Sequence, residues 1–156
     1  MGKFVLGIGN VLLRDEGIGC HVVRALEGIP LSDVQIIDGG TCADVVHLLE
    51  DADKLIIVDA VKGGGTPGQI HRFHVEDITL EQKPFLSLHD VGLVDNLILS
   101  KLWHSIGETV IIGVEPKEID WGLELSPELR EKMPQITETI LAELSTSANL
   151  SLEGEE

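Results

Sequence analysis

Tyrosine is missing from this chain, and aromatic residues of all kinds make up only 3% of it. Any core must therefore be built from aliphatic side chains. Cysteine is scarce as well. Cys20 and Cys42 are the two present, too few for a disulfide scaffold and not spaced as a CxxC metal motif. Basic residues are outnumbered: Lys plus Arg is 11 against 27 for Asp plus Glu, a net charge of −16. A field of that sign repels phosphate backbones and anionic headgroups, so neither nucleic acid nor a membrane is expected as a partner. No apolar run approaches the ~20 residues needed to span a bilayer. Residues 1–6 lack the charged, apolar and cleavable parts of a secretory leader. These absences lead to the expectation of a soluble cytoplasmic protein with reduced thiols.

What is there fits one domain. A chain of 156 residues with 43% hydrophobic content is long enough to bury a core without disulfide or metal support. Short β-rich runs alternate with helical periodicity, which argues an α/β sandwich. Strands are expected at 4–8, 34–38, 54–60 and 109–114. The unbroken apolar centre of 54–60 fits a central parallel strand covered on both faces. The Gly-rich segment 63–68 is expected as a turn or mobile loop, leading into a half-exposed edge strand at 69–75. Helices are expected at 16–26, 43–50 and 89–103. A final helix begins at Ser126-Pro127-Glu128, with Ser as N-cap and Pro in the first position. Pro134 lies inside its apolar stripe and should kink or split it. The expected organisation is a single domain over 1–144 and an acidic, disordered tail over 145–156. The apolar stretches are accounted for by one core, so a monomer is expected.

The first strand runs into Gly7-Ile8-Gly9-Asn10. A dinucleotide fingerprint would need glycine at position 12, where Leu12 stands, and a P-loop would need Gly-Lys-Ser/Thr, where Arg14-Asp15-Glu16 stands. A phosphate at the following helix would also meet two carboxylates instead of a free helix N-terminus. The unit offers instead an acidic group at the C-terminal edge of the sheet, where α/β proteins place their sites. The structural alternative is that Asp15 and Glu16 merely complement the helix dipole.

Asp59 ends the run Leu55-Ile56-Ile57-Val58, and a carboxylate so near the core is expensive unless it is paired or bound to metal. Asp38 ends the second strand at the same edge; its structural alternative is an Asx turn with Gly39 and Gly40 at positive φ. His89, in Ser87-Leu88-His89-Asp90, opens the long helix near that edge. Two carboxylates and one imidazole from separate loops make a plausible open metal site, and the oxygen-rich set suits Zn, Ni, Mn or Fe(II) without choosing among them. His71 and His74 are three apart on a strand and face opposite sides, so they do not share an ion. His21 points away from Glu16 around the helix. His47 and His104 read as helix-surface residues. Cys20 reads as core, and Cys42 has no adjacent base to activate it.

Gly7-x-Gly9-Asn10-x-Leu12-x-x-Asp15-Glu16-Gly17-x-Gly19, Asp38-Gly39-Gly40-Thr41, Val58-Asp59-Ala60 and Ser87-x-His89-x-x-Gly92 occur in that order. Together they resemble the hydrogenase maturation endopeptidases over about residues 3–144. The resemblance implies a three-layer αβα sandwich whose five-stranded, mostly parallel sheet has one antiparallel strand. It implies one proteolytic cut, removing the C-terminal extension of a nickel–iron hydrogenase large-subunit precursor after nickel insertion. It further implies that Glu16, Asp59 and His89 ligate a metal, reading the nickel already held by the substrate, and that Asp38 matches a further acidic position. Such an open site also accepts another divalent ion adventitiously.

Two routes to the cut stay open. Metal could polarise the peptide carbonyl or activate water, or Asp38 or Asp59 could act as general base with metal used for recognition alone. No Asp-Thr/Ser-Gly signature of a two-aspartate peptidase is present. The alternative function is a non-proteolytic nickel-binding accessory protein or chaperone, which would more often carry His- or Cys-rich tracts than this chain does.

Overall fold

A computed structural model of the protein describes residues 2–40, 53–74, 86–87 and 107–145. In chain order these form β1 (Lys3–Ile8), a 3-10 turn (Arg14–Gly17), α1 (Ile18–Glu27), β2 (Val34–Gly40), β3 (Lys54–Lys62), β4 (Ile70–His74), β5 (Leu86–Ser87), β6 (Glu108–Val114) and α2 (Pro127–Ser145). The expected helices at 43–50 and 89–103 and the tail beyond 145 lie outside the described residues, as do His47, His89, His104 and Cys42.

The main sheet runs β2-β1-β3-β6-β4. The pairs β1–β2, β1–β3 and β3–β6 are parallel, and β4 joins β6 antiparallel at the edge. The fold is the expected α/β architecture, a five-stranded and mostly parallel sheet with one antiparallel strand. All eight leading residues of β3 are buried, as its unbroken apolar run requires of a central strand. Ile56, Val58 and Ala60 alternate toward a core shared with Ile18 and Val22 of α1 and with Leu129, Ile136 and Ile140 of α2. Leu55, Ile57 and Val61 alternate to the other face and are buried too.

α1 sits unusually close to the sheet, and glycine is the reason. A Cβ on Gly19 would lie 2.3 Å from the carbonyl oxygens of both Ile8 and Val58, and one on Gly7 would lie 2.3 Å from Gly19 O. The glycines of the first motif thus let helix backbone touch strand backbone; they make no phosphate cradle.

Three local expectations are corrected. α1 starts at Ile18, after a 3-10 turn, and not at Glu16. Asp38-Gly39-Gly40 continues β2 in place of an Asx turn, and Gly39 does not take positive φ. Gly39 is needed for space, since its Cβ would lie 2.8 Å from Leu6 Cδ1. Of the two outcomes expected at Pro134, kink or split, the split does not occur: α2 runs through it as one helix. A mid-helix proline costs about 3 kcal/mol, but Leu129 and Ile136 are fully buried on either side of it. Burying each such side chain contributes about 1.5–3 kcal/mol, enough together to keep both halves seated.

At the end of the sheet where the parallel strands begin, α2 is fastened by charge. Glu143 accepts from Arg72 Nε at 2.6 Å and Nη2 at 2.9 Å, and pairs with Lys54 Nζ at 2.8 Å. Lys54 also donates to Glu143 O at 2.7 Å, and Lys3 donates to Leu144 O. Two ammonium groups therefore meet carbonyls of the last helical turn, the favourable pole for cations.

Candidate active site

The opposite end of the sheet, where the parallel strands finish, holds Glu16, Asp38 and Asp59. β1 ends at Ile8 and the chain turns through Asn10, whose backbone N–H donates to Glu16 O at 3.3 Å and whose side chain accepts from Leu12 N at 3.0 Å. This turn closes with Glu16 N donating to Leu13 O at 3.1 Å. Gly9 again marks a close approach, because a Cβ there would lie 2.4 Å from Glu16 O. Glu16 is half-buried, and the 3-10 turn carrying it packs against β3.

Asp59 lies near the end of β3, opposite Gly113 of β6. Its side chain is only 3% exposed, and its Oδ1 accepts from Ala60 N at 2.7 Å. Beyond it, Val61 pairs with Ser87 and Lys62 with Leu86, antiparallel. Ser87, expected to open a helix, therefore belongs to a short strand. Ser87 lies two residues before His89, and Val61 two residues after Asp59.

Asp38 sits on β2, level with Gly7 of β1, which is itself level with Val58 of β3. It is exposed, and its Oδ1 accepts from the buried Cys20 thiol at 3.0 Å. The thiol also approaches Gly9 O at 3.5 Å. Cys20 is thus core, as expected, and touches a candidate functional carboxylate. Residues Val34 and Ile36 of β2 pack toward α1, and Asp38 follows them in alternation. Asp59 alternates away from Val58 and Ala60, the α1-side residues of β3. The two aspartates flank β1 and leave the sheet on opposite faces, which is not the arrangement of two carboxylates sharing one proton.

Asp15 is a buried clamp, not a dipole partner. Its Oδ2 accepts from Lys117 N, Glu118 N and Ser126 Oγ, each at 2.8 Å, and its Oδ1 accepts from Ser126 N at 2.8 Å. The Ser126 hydroxyl, expected as a helix cap, is thereby turned to Asp15. Arg14 takes φ 50°, in the left-handed region, and its N–H donates to Gly122 O at 3.0 Å. The motif turn and the segment after β6 are consequently one fastened unit.

The Gly-rich segment 63–68 is also tied down. Glu115 Oε1 accepts from Gly63 N at 3.0 Å and Gly65 N at 3.1 Å, and meets His71 Nε2 at 3.0 Å. Burial pushes the Glu115 carboxyl up, but His71 and the two backbone N–H groups outweigh it and hold it below its ordinary value. His74 instead meets Glu108 at 3.0 Å, so the two histidines have separate partners, as their spacing requires. Among the described residues no three His, Cys, Asp or Glu side chains form a metal-holding group. Two of the expected ligands are described and carry carboxylates suited to a divalent ion; the third, His89, lies outside.

The fold and this edge define a parallel α/β protein with its candidate site where the strands end, the general position for sites in such sheets. The model of the family described as HycI, hydrogenase maturation protease, matches residues 20–143. The Hydrogenase 2 maturation protease of Escherichia coli is 32% identical over 94% of this chain and 93% of its own length. The hydrogenase expression/formation protein HupD of Thiocapsa roseopersicina is 36% identical over 90% of this chain and 66% of its own, so the chain spans about two thirds of that relative. Among solved structures, the hydrogenase maturating endopeptidase HybD from E. coli superposes with a TM-score of 0.78 at 32% identity, covering 92% of both chains. The [NiFe] hydrogenase maturation protease HybD from Thermococcus kodakarensis gives 0.75 at 27% identity, over 94% of this chain and 100% of the other. The chain belongs to the hydrogenase maturation protease family, a family of peptidases.

Proposed function

We propose that the protein is an endopeptidase that removes the C-terminal extension from a nickel–iron hydrogenase large-subunit precursor, and that it cuts only after nickel has been inserted. The observation that supports the reading is the packing of the Glu16 turn against β3, the strand that carries Asp59. The turn bearing Glu16 packs against this strand, Asp59 lies buried near the strand's end, and Ser87, two positions before His89 in the sequence, pairs with Val61.

In this reading Glu16, Asp59 and His89 complete the coordination of nickel that the substrate already holds. Two carboxylates and one imidazole bind an exchangeable ion, unlike a closed structural zinc site. Metal insertion is then the condition for docking the extension across the sheet edge. Asp59 reads the charge of the metal. Asp38, on the other side of β1, accepts the proton of the attacking water as general base. The Cys20 thiol bonded to Asp38 steadies its carboxylate.

The test is intact mass after incubation with precursor. Nickel-loaded precursor should lose the mass of its extension, and nickel-free precursor with chelator present should stay whole. Asp59→Asn keeps the side chain's shape and removes its charge, so it should abolish binding of nickel-loaded precursor. Asp38→Asn should leave binding intact and lower kcat by about 100-fold or more, the contribution of one general base. Cleavage of nickel-free precursor at the wild-type rate would overturn the licensing role and leave an ordinary aspartate-dependent peptidase.

A further inference from the structure

The large apolar side chains exposed among the described residues are Leu12, Ile119, Trp121 and Leu123. All four stand on two segments, 9–13 and 115–126, which flank the Glu16 turn. Trp121 is 76% exposed, Leu123 65% and Leu12 49%. Single exposed apolar residues are ordinary on any surface, but grouped ones mark a contact site.

These two segments are locked together. Gly122 N donates to Leu12 O at 2.9 Å, Leu13 and Gly122 form a parallel bridge, and Asp15 clamps Lys117, Glu118 and Ser126 from beneath. The backbone beneath Trp121 is therefore ordered before any partner arrives. That lowers the entropy lost on binding. Tryptophan is also among the residue types that most often anchor a protein interface.

Charge selects the partner. The basic groups nearby are engaged, Arg14 with Glu118 at 3.4 Å, Lys117 with Glu128 at 3.2 Å and Arg130 with Glu124 at 3.4 Å. Asp120 is exposed beside Trp121, and Glu124, beside Leu123, is exposed at the edge of its pair with Arg130. On a molecule of net charge −16, a second copy would bring like charges face to face, and that juxtaposition is costly.

We propose that the Leu12–Trp121–Leu123 face is the docking surface for the folded body of the substrate protein, and that the matching surface is an apolar recess rimmed by Lys and Arg. This rests on the proposed function, because the face adjoins the Glu16 turn and seats a partner whose extension crosses the same sheet edge. Recognition is thereby divided. The metal ligands test for nickel, and this face tests for the right large subunit.

The experiment is steady-state cleavage of nickel-loaded large-subunit precursor by wild type, Trp121→Ser and Leu12→Ser. Both positions are exposed, so both variants should melt as wild type does, and either one suffices for the test. KM should rise about tenfold or more with kcat retained, as for loss of one interface anchor. Wild-type KM should also rise steeply between low and high NaCl, because a basic rim facing acids is screened. Unchanged KM in both variants, with wild type active, overturns the docking surface and leaves the proteolytic function standing. A fall in kcat at constant KM overturns it as well, since it would place these residues in the chemistry. A salt-independent KM removes the basic rim. Failure of wild type to cut the precursor at all overturns the function, and the docking surface with it.

Discussion

Asp15 and Glu16 are neighbours in sequence and opposites in role. Asp15 is wholly buried and accepts four hydrogen bonds from residues more than a hundred positions away, whereas Glu16 is half-buried at the sheet edge. Substituting Asp15→Ala strands those donors, and each bond to a charged group is worth about 1.5–3 kcal/mol. The expected loss is about 3 kcal/mol or more in urea unfolding, with the sheet edge disordered. Glu16→Gln should cost no more than about 1 kcal/mol, as surface changes do, while processing is lost. Equal destabilisation by both would show that Glu16 is structural too. The sequence showed Asp38 and Asp59 as strand-end acids, because an acid closing an apolar run is a local signal, and Glu16 as a helix-start acid after the glycine motif. It could not show the Asp15 clamp or the Cys20–Asp38 contact. Their partners are set by how α1 and the segment after β6 come together, and no short pattern records that.

At the scale of elements, every strand of the main sheet was legible, since each is an uninterrupted or alternating apolar run. β5 was not, because two residues carry no periodicity. The continuity of α2 was not either, because buried packing outweighs the proline. α2 also carries the clearest pH dependence. The Arg72 hydrogen bonds and the Lys54 contacts hold the Glu143 carboxyl at about 2, well below its ordinary 4.5, against the opposing effect of burial. A depressed folded value means that the stabilisation is fully present above pH 4.5 and drains away as pH falls toward 2. The linkage amounts to about 2–3 kcal/mol. Glu143→Gln should destabilise the protein by about that much or more at pH 7, because Lys54 is left buried with a weaker partner. The variant should also flatten the loss of stability between pH 4.5 and 2. Parallel curves for variant and wild type would show that another carboxylate governs the acid limb.

Across the whole molecule the charge of −16 works against the fold and for its selectivity. Few cations offset it locally, and the strongest pairs, around Lys54 and Glu143, are buried and weakly screened by salt. The exposed acids repel one another over distances comparable with the Debye length, ~10 Å at 0.1 M, and that repulsion is screened. Salt therefore relieves the surface repulsion while leaving the buried pairs largely intact. Raising NaCl from 20 mM to 0.5 M should therefore increase stability, on the order of 1 kcal/mol, read as a higher urea midpoint with unchanged slope. The same salt should weaken precursor binding if acids on the Trp121 face meet a basic rim. Stability and substrate affinity thus move in opposite directions with ionic strength. A drop in the urea midpoint with salt would mean that surface ion pairs such as Lys117–Glu128 outweigh the net repulsion.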